Sequence, residues 1–158
     1  MAILSPLPGA VTAITISPAS LANNVGRQSA MIDNTIIKAV DAIVQFKIKN
    51  GTGTAGTIEL WTYGSADKIN YSAGAGTTDV NFTPSASAKS NMRLLDLVTT
   101  PTNAGVYVFG PVSIGFAWGG TMPLQWGIWL FNNGTGAALD ATAGNFVANY
   151  TPIQLQIL

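Results

Sequence analysis

The sequence predicts an all-β fold: a single-domain antiparallel β-sandwich, jelly-roll-like, of about eight strands, with an extended N-terminal arm. Three observations carry this. Apolar residues recur at every second position in several separate segments, the period of a strand. Gly, Asn and Pro clusters punctuate those segments. No stretch reads unambiguously as a helix, and the 158 residues contain neither an internal repeat nor a linker that would divide them. A chain of this length buries about 70% of its unfolded surface as one domain.

Residues 1–10, MAILSPLPGA, form the expected arm, because Pro6 and Pro8 bias the backbone towards polyproline or β conformation. Residues 11–158 are assigned to the sandwich. Val11–Ser17 alternates as a first strand and ends at Pro18; Ala19–Ser29 is a loop, and Asp33-Asn34 signals a turn. Ile36–Lys49 also fits a helical stripe in its first half, but the alternation from Ala42 onward and the β-branched content assign it to a strand. Beyond Asn50-Gly51 comes Thr57–Tyr63, and the two strands read as a hairpin with a long loop. Gly64–Thr78 and Pro84–Ser90 read as loops, Asp79–Thr83 as a short strand and Asn91–Val98 as a longer one, with a helical turn as the alternative for the last. Phe146–Leu158 is the last strand, interrupted at Pro152: Phe146, Ala148 and Tyr150 alternate before it, Ile153, Leu155 and Ile157 after it.

The centre of the pattern is Gly105–Phe131. It reads as two long apolar arms joined by Gly119–Pro123, with Val112, Ile114, Phe116 and Trp118 on one face of the first and Leu124, Trp126, Ile128 and Leu130 on one face of the second. Three of the four Trp residues lie here, and no Asp, Glu, Lys or Arg occurs between Asp96 and Asp140. The opposite faces are small or mixed, so these strands are either central in the sandwich or pressed against another chain.

The composition is 47% hydrophobic and 9% charged, with a formal net charge of zero; about 25% charged is ordinary. So few charges favour association, and much of the exterior is expected to meet other subunits. Without an excess of Lys or Arg, nucleic acid is not an expected partner. No apolar run is long enough for a membrane-spanning helix, and none is expected. There is no Cys and no His, which removes disulfides, thiolate chemistry and imidazole catalysis. No cofactor, metal or enzymatic activity is expected.

The motifs each have a structural reading. Gly51–Gly56, GTGTAG, matches the dinucleotide pattern G-x-G-x-x-G, but a strand follows where the chemistry needs a helix N-terminus, so it reads as a loop. Glu59 shares a strand face with Trp61 and Tyr63. That face is either a solvated strand surface or, as an alternative, a platform on which Trp61 and Tyr63 stack against sugar rings, with Glu59 the best candidate for a glycosidase acid. The aromatic face of residues 105–131 reads as core, subunit interface or ligand groove.

The chain resembles the capsid decoration, or cement, proteins of tailed bacteriophages. The likeness lies in Gly26-Arg27-Gln28-Ser29 with Ile32-Asp33-Asn34-Thr35, in Gly56–Ser65 (GTIELWTYGS), Tyr107–Ser113 (YVFGPVS) and Gly119–Pro123 (GGTMP), and in Asn132–Tyr150 ending AGNFVANYTP. It implies a β-sandwich made in the host cytoplasm that sits on the outer surface of the virion capsid, as a homotrimer, and clamps major capsid protein subunits. No individual functional residue is carried over from it. The expected interface is the apolar arm (Ile3, Leu4, Pro6, Leu7 and Pro8) with Trp129 and Phe131. The alternative is a carbohydrate-binding or receptor-binding domain of a phage tail or fibre.

Overall fold

The computed structural model describes residues 4–74, 76–101, 103–142 and 144–157. Along the chain lie β1 (Leu4–Pro8), β2 (Thr12–Ala13), β3 (Val25–Gln28), β4 (Ile32–Asp33), α1 (Asn34–Ile37), β5 (Asp41–Lys49), β6 (Gly56–Ser65), β7 (Val80–Asn81), α2 (Ala86–Lys89), β8 (Arg93–Thr100), β9 (Val106–Ser113), α3 (Ile114–Ala117), β10 (Gln125–Asn133) and β11 (Val147–Ile157). They build two antiparallel sheets, so the all-β sandwich is observed. The first sheet runs β1-β11-β5-β9, with β2 also on β11; the second runs β7-β3-β10-β6-β8, with β4 also on β10.

With the flanking strands β1, β4 and β7 set aside, successive strands fall in the first, second, first, second, second, first, second and first sheet. Most connections therefore cross between sheets, which overturns both expected hairpins. The Gly-rich segment after β5 does not return along β5. It arches to the other sheet over the turn at Thr135–Ala138, with Gly51 N–H donating to the Ala138 carbonyl (3.1 Å) and Thr54 N–H to that of Thr135 (2.7 Å). A side chain at Gly53 would put its Cβ 2.2 Å from the Thr135 carbonyl oxygen. The glycines of GTGTAG thus serve close packing between loops. The two arms of residues 105–131 part in the same way. Ser113 Oγ donates to Asp41 (2.7 Å) and accepts from Phe116 N–H (2.9 Å), which starts α3 and ends the strand. Ile114 is buried, whereas Phe116 is 87% exposed.

Smaller departures have local causes. Ile36 and Ile37 belong to the helical turn α1, capped by Asp33 and closed by Lys38 in the left-handed region (φ 56°), so the strand begins at Asp41. Pro84–Ser90 contains α2, capped by the Ser85 side chain. Only Thr12–Ala13 of Val11–Ser17 pairs as a strand, although Ile14 and Ile16 reach the core. The arm is extended, as expected, but it does not stand free: Leu4–Pro8 pairs with Ile157–Ile153 as the edge of the first sheet.

The main core lies between the sheets. Val44, Phe46, Ile48, Phe109 and Tyr150 from the first meet Ile58, Leu60, Trp126, Ile128 and Leu130 from the second. Aromatic edges fix its registry, with Phe46 against Phe146 (5.1 Å) and Trp126 against Tyr150 (5.3 Å). A second, smaller core sits on the other side of the second sheet. There Tyr63, Trp129, Met92 and Ala73 are buried, with Met31, Trp61, Phe82 and Phe131 packed around them. The excursion between β6 and β8 supplies the cover. It is tied down by Trp129 Nε1 donating to the Phe82 carbonyl (2.7 Å), by Gln28 Nε2 donating to the Thr78 carbonyl (2.8 Å) and by Arg27 pairing with Asp79 (2.6 Å).

Gly26 lies flat against this layer, where a Cβ would fall 2.3 Å from the Trp129 ring. Gly26→Ala is therefore expected to destabilise the fold by about 1–3 kcal/mol, the usual cost of overpacking. Urea unfolding measures it, and an unchanged midpoint would contradict this packing.

Candidate functional site

The two sheets are covered unequally. The second has chain on both faces. The first has the main core on one face and no packed layer of described residues on the other. Register puts Leu4, Pro6 and Pro8 of β1 opposite Ile157, Leu155 and Ile153 of β11, so all six side chains share this outer face. It continues through Thr151, Asn149 and Val147 to Ile43, Gln45 and Lys47 of β5, and then to Val108 and Val106 of β9. Ile157 is 73% exposed and Leu155 49%.

The outward apolar residues of β11 follow from one local fact. The strand does not break at Pro152; it runs unbroken from Val147 to Ile157. In a continuous strand odd and even residues face opposite ways. Ala148 and Tyr150 point into the core, so Ile153, Leu155 and Ile157 point out. Pro152 fits because its nitrogen faces the gap between β1 and β2. There Gly9–Val11 bulge, and Gly9 N–H donates to the Pro152 carbonyl (2.7 Å). That bond also sets the parity of β1. Ser5 and Leu7 turn their N–H groups to β11, while Pro6 and Pro8 turn their donorless nitrogens to the outer edge. An edge so built resists extension by another strand, and contact with a neighbour must come through side chains on the face.

Beyond Ile153 the strand has no β5 partner, since Ile153 pairs with Asp41, the first residue of β5. Leu4–Leu7 and Gln154–Ile157 therefore overhang the sandwich as a two-stranded ribbon. Gln154 Nε2 donating to the Ile37 carbonyl (2.7 Å) ties it to α1. A ribbon of this kind is marginal in water on its own, and its outward face carries Leu4, Pro6, Leu155 and Ile157 without a charge.

The structure sorts the residues predicted for an interface. Leu4, Pro6 and Pro8 lie on the open face. Leu7 is on the reverse of the ribbon, though exposed, and Ile3 lies outside the described residues. Trp129 is only 1% exposed and Phe131 stacks on it at 5.0 Å, so Trp129 belongs to the second core and offers no surface to a neighbour. The sugar-stacking platform is corrected likewise. Tyr63 is fully buried, its hydroxyl donating to the Ser29 carbonyl (2.8 Å), and Lys89 covers Trp61 with its ammonium 4.7 Å from the ring centroid. Sequence reasoning passed over Ile153, Leu155, Ile157, Val106 and Val108 as contact residues. The change of apolar phase across Pro152 was the available signal for the first three.

Glu59 sits in the second core's rim. One carboxylate oxygen accepts from Lys89 Nζ (2.5 Å) and Trp61 Nε1 (2.8 Å), the other from Asn133 Nδ2 (2.8 Å). Burial pushes this carboxyl up, but the bonds from Lys89, Trp61 and Asn133 outweigh it and hold it below its ordinary value. A carboxyl kept ionised by three donors rests as a base, without the proton that a glycosidase acid must hold before its substrate arrives. Among the described residues no group of three or more acidic side chains gathers as a metal site, and no helix is long and apolar enough to cross a membrane. A cavity of about 320 Å³, lined by Trp118, Met122, Pro123 and Ser65 among others, opens at one end of the sandwich. No protein-family model, curated protein or solved structure matches the chain.

Tyr63→Phe is expected to cost about 1–3 kcal/mol of stability, because it strips a buried carbonyl of its donor. Urea denaturation tests this, and a variant as stable as the parent would mean that Ser29 finds another donor.

Proposed function

We propose that the chain is a structural virion protein, a capsid decoration or cement protein that binds the outer surface of a phage head and stabilises contacts between major capsid subunits. The observation that carries the reading is the uncovered face of the first sheet with its overhanging charge-free ribbon. Permanent interfaces are more apolar than transient ones, and a 9% charged chain has little else with which to keep such a face in water. The strand order supports the finer architectural reading, a jelly roll: β2-β11-β5-β9 faces β3-β10-β6-β8, with the chain changing sheets at every step except β6 to β8. Jelly rolls are frequent in capsid proteins. The resemblance in Gly56–Ser65 and Asn132–Tyr150 points the same way.

In this reading the protein works without chemistry. Copies associate as a homotrimer through the ribbon and outer face, and the assembled unit binds where capsid subunits meet. A ligand that binds only the assembled shell stabilises it by mass action. The second reading, a carbohydrate- or receptor-binding domain of a tail or fibre, has one observation in its favour: Trp118 lines an open cavity of ligand size.

Heads prepared without the protein from the phage that encodes it should take up purified protein on their outer surface and then release DNA at a higher temperature. The double variant Leu155→Asp, Ile157→Asp should lose most of that uptake while keeping the parent's circular dichroism spectrum, because both side chains are exposed in the single chain. Heads that bind none of the parent protein would overturn the proposal. Glycan binding abolished by Trp118→Ala would favour the second reading.

A further inference from the structure

We propose that Lys89 and Asn133 become joined by an intramolecular amide bond, with Glu59 as the proton carrier. The inference is independent of the virion reading. It rests on an arrangement that a mere ion pair does not require. Lys89 ends α2 in the excursion over the second sheet, Asn133 ends β10, and Glu59 lies on β6 opposite Phe131, so Asn133 is its diagonal neighbour on the same face. One Glu59 oxygen holds the Lys89 amine at 2.5 Å and the other holds the Asn133 amide nitrogen at 2.8 Å. The carboxylate thus touches both the nucleophile and the group that would leave, each within the reach that proton transfer needs.

The surroundings suit the reaction. The Lys89 ammonium lies over three rings, Trp61 at 4.7 Å, Phe131 at 5.0 Å and Trp129 at 5.8 Å, which fix its position. The Glu59 side chain is 8% exposed, and Trp61 Nε1 anchors its carboxylate. The Lys89 side chain is 28% exposed and rests as an ammonium; held against Glu59 it is positioned for attack once the carboxylate has taken its proton.

The step balances without any co-reactant. Glu59 takes a proton from Lys89, and the freed lone pair of Nζ attacks Cγ of Asn133. A C–N bond forms, and Oδ1 carries the negative charge of the tetrahedral intermediate. Glu59 gives its proton to Nδ2 and takes the surplus one from Nζ. The Cγ–Nδ2 bond then breaks, the carbonyl reforms and ammonia leaves, accepting the last proton from Glu59. A lysine ammonium and an asparagine amide have become a secondary amide and an ammonium ion, with nothing oxidised or reduced. The product staples the covering excursion to the end of β10.

The test is the mass of the intact folded protein. The bond removes one ammonia, about 17 Da. No Lys or Arg follows Arg93, so trypsin separates residues 94–158 from the rest unless the bond holds them. The expected result is a deficit of one ammonia, no cleavage after Lys89, and residues 69–93 recovered covalently joined to residues 94–158. Glu59→Gln and Lys89→Arg should each restore the full mass and release the two fragments. A parent protein of full mass would overturn the proposal. So would a deficit with separate fragments that persists in Lys89→Arg, because that marks a succinimide at Asn133-Gly134, a reaction the folded state opposes by engaging Gly134 N–H with Asn24 Oδ1 (2.9 Å).

Discussion

Strand β11 runs unbroken through Pro152, and much of the molecule's character depends on that continuity. A strand has two faces, and its apolar side chains are settled on one or the other by parity alone. Up to Pro152 the buried apolar residues of β11, Ala148 and Tyr150, are even-numbered and join the main core, with Val147 outward; beyond it the apolar residues are odd-numbered and look outward. The proline does not end the strand because its nitrogen faces the place where β1 and β2 separate and where Gly9 lies too close for a side chain, a Cβ there falling 2.9 Å from the Pro152 ring. The same parity gives β1 its proline-guarded edge. A single register thus sets an apolar face, leaves it uncovered and closes the neighbouring edge to strand addition.

The second sheet shows the contrasting solution. Its outer face is more aromatic than its inner one, yet the chain itself covers it, with the excursion between β6 and β8. That layer is thin, and its hold comes from directed bonds as much as from burial: Trp129 to the Phe82 carbonyl, Gln28 to the Thr78 carbonyl, Tyr63 to the Ser29 carbonyl, and Glu59 accepting three donors. Buried polar groups so satisfied specify one arrangement, whereas left unpaired they would each be costly. The layer explains why Trp129 and Tyr63, on the outer face of their sheet, contribute nothing to the surface.

The sequence made some of this legible and hid the rest for physical reasons. Alternation identified the longer strands, and Gly, Asn and Pro marked their ends, because both signals are local. Whether a Gly-rich connection turns back within a sheet or crosses to the other is not local. The residues of Gly51–Gly56 suit both, and only their contact with Thr135–Ala138 decides. Four-residue helical turns such as Ala86–Lys89 are too short to show a period. Trp129 was ambiguous because β10 is apolar on both faces, and period two cannot say which face meets a neighbouring chain. Of the candidate interface, Leu4, Pro6 and Pro8 were recognisable as an apolar extended segment. Their partners Leu155 and Ile157 were visible as alternating residues, but the proline before them reads as an interruption, and only the continuous strand reveals that they face outward.

The central claim is that the open face of the first sheet is covered by other copies of this chain. Light scattering across a dilution series measures it most directly. A homotrimer predicts a molar mass three times the 16.4 kDa of the chain, stable on dilution and reduced to that of one chain by Leu155→Asp with Ile157→Asp. A mass of one chain at every concentration would contradict the account.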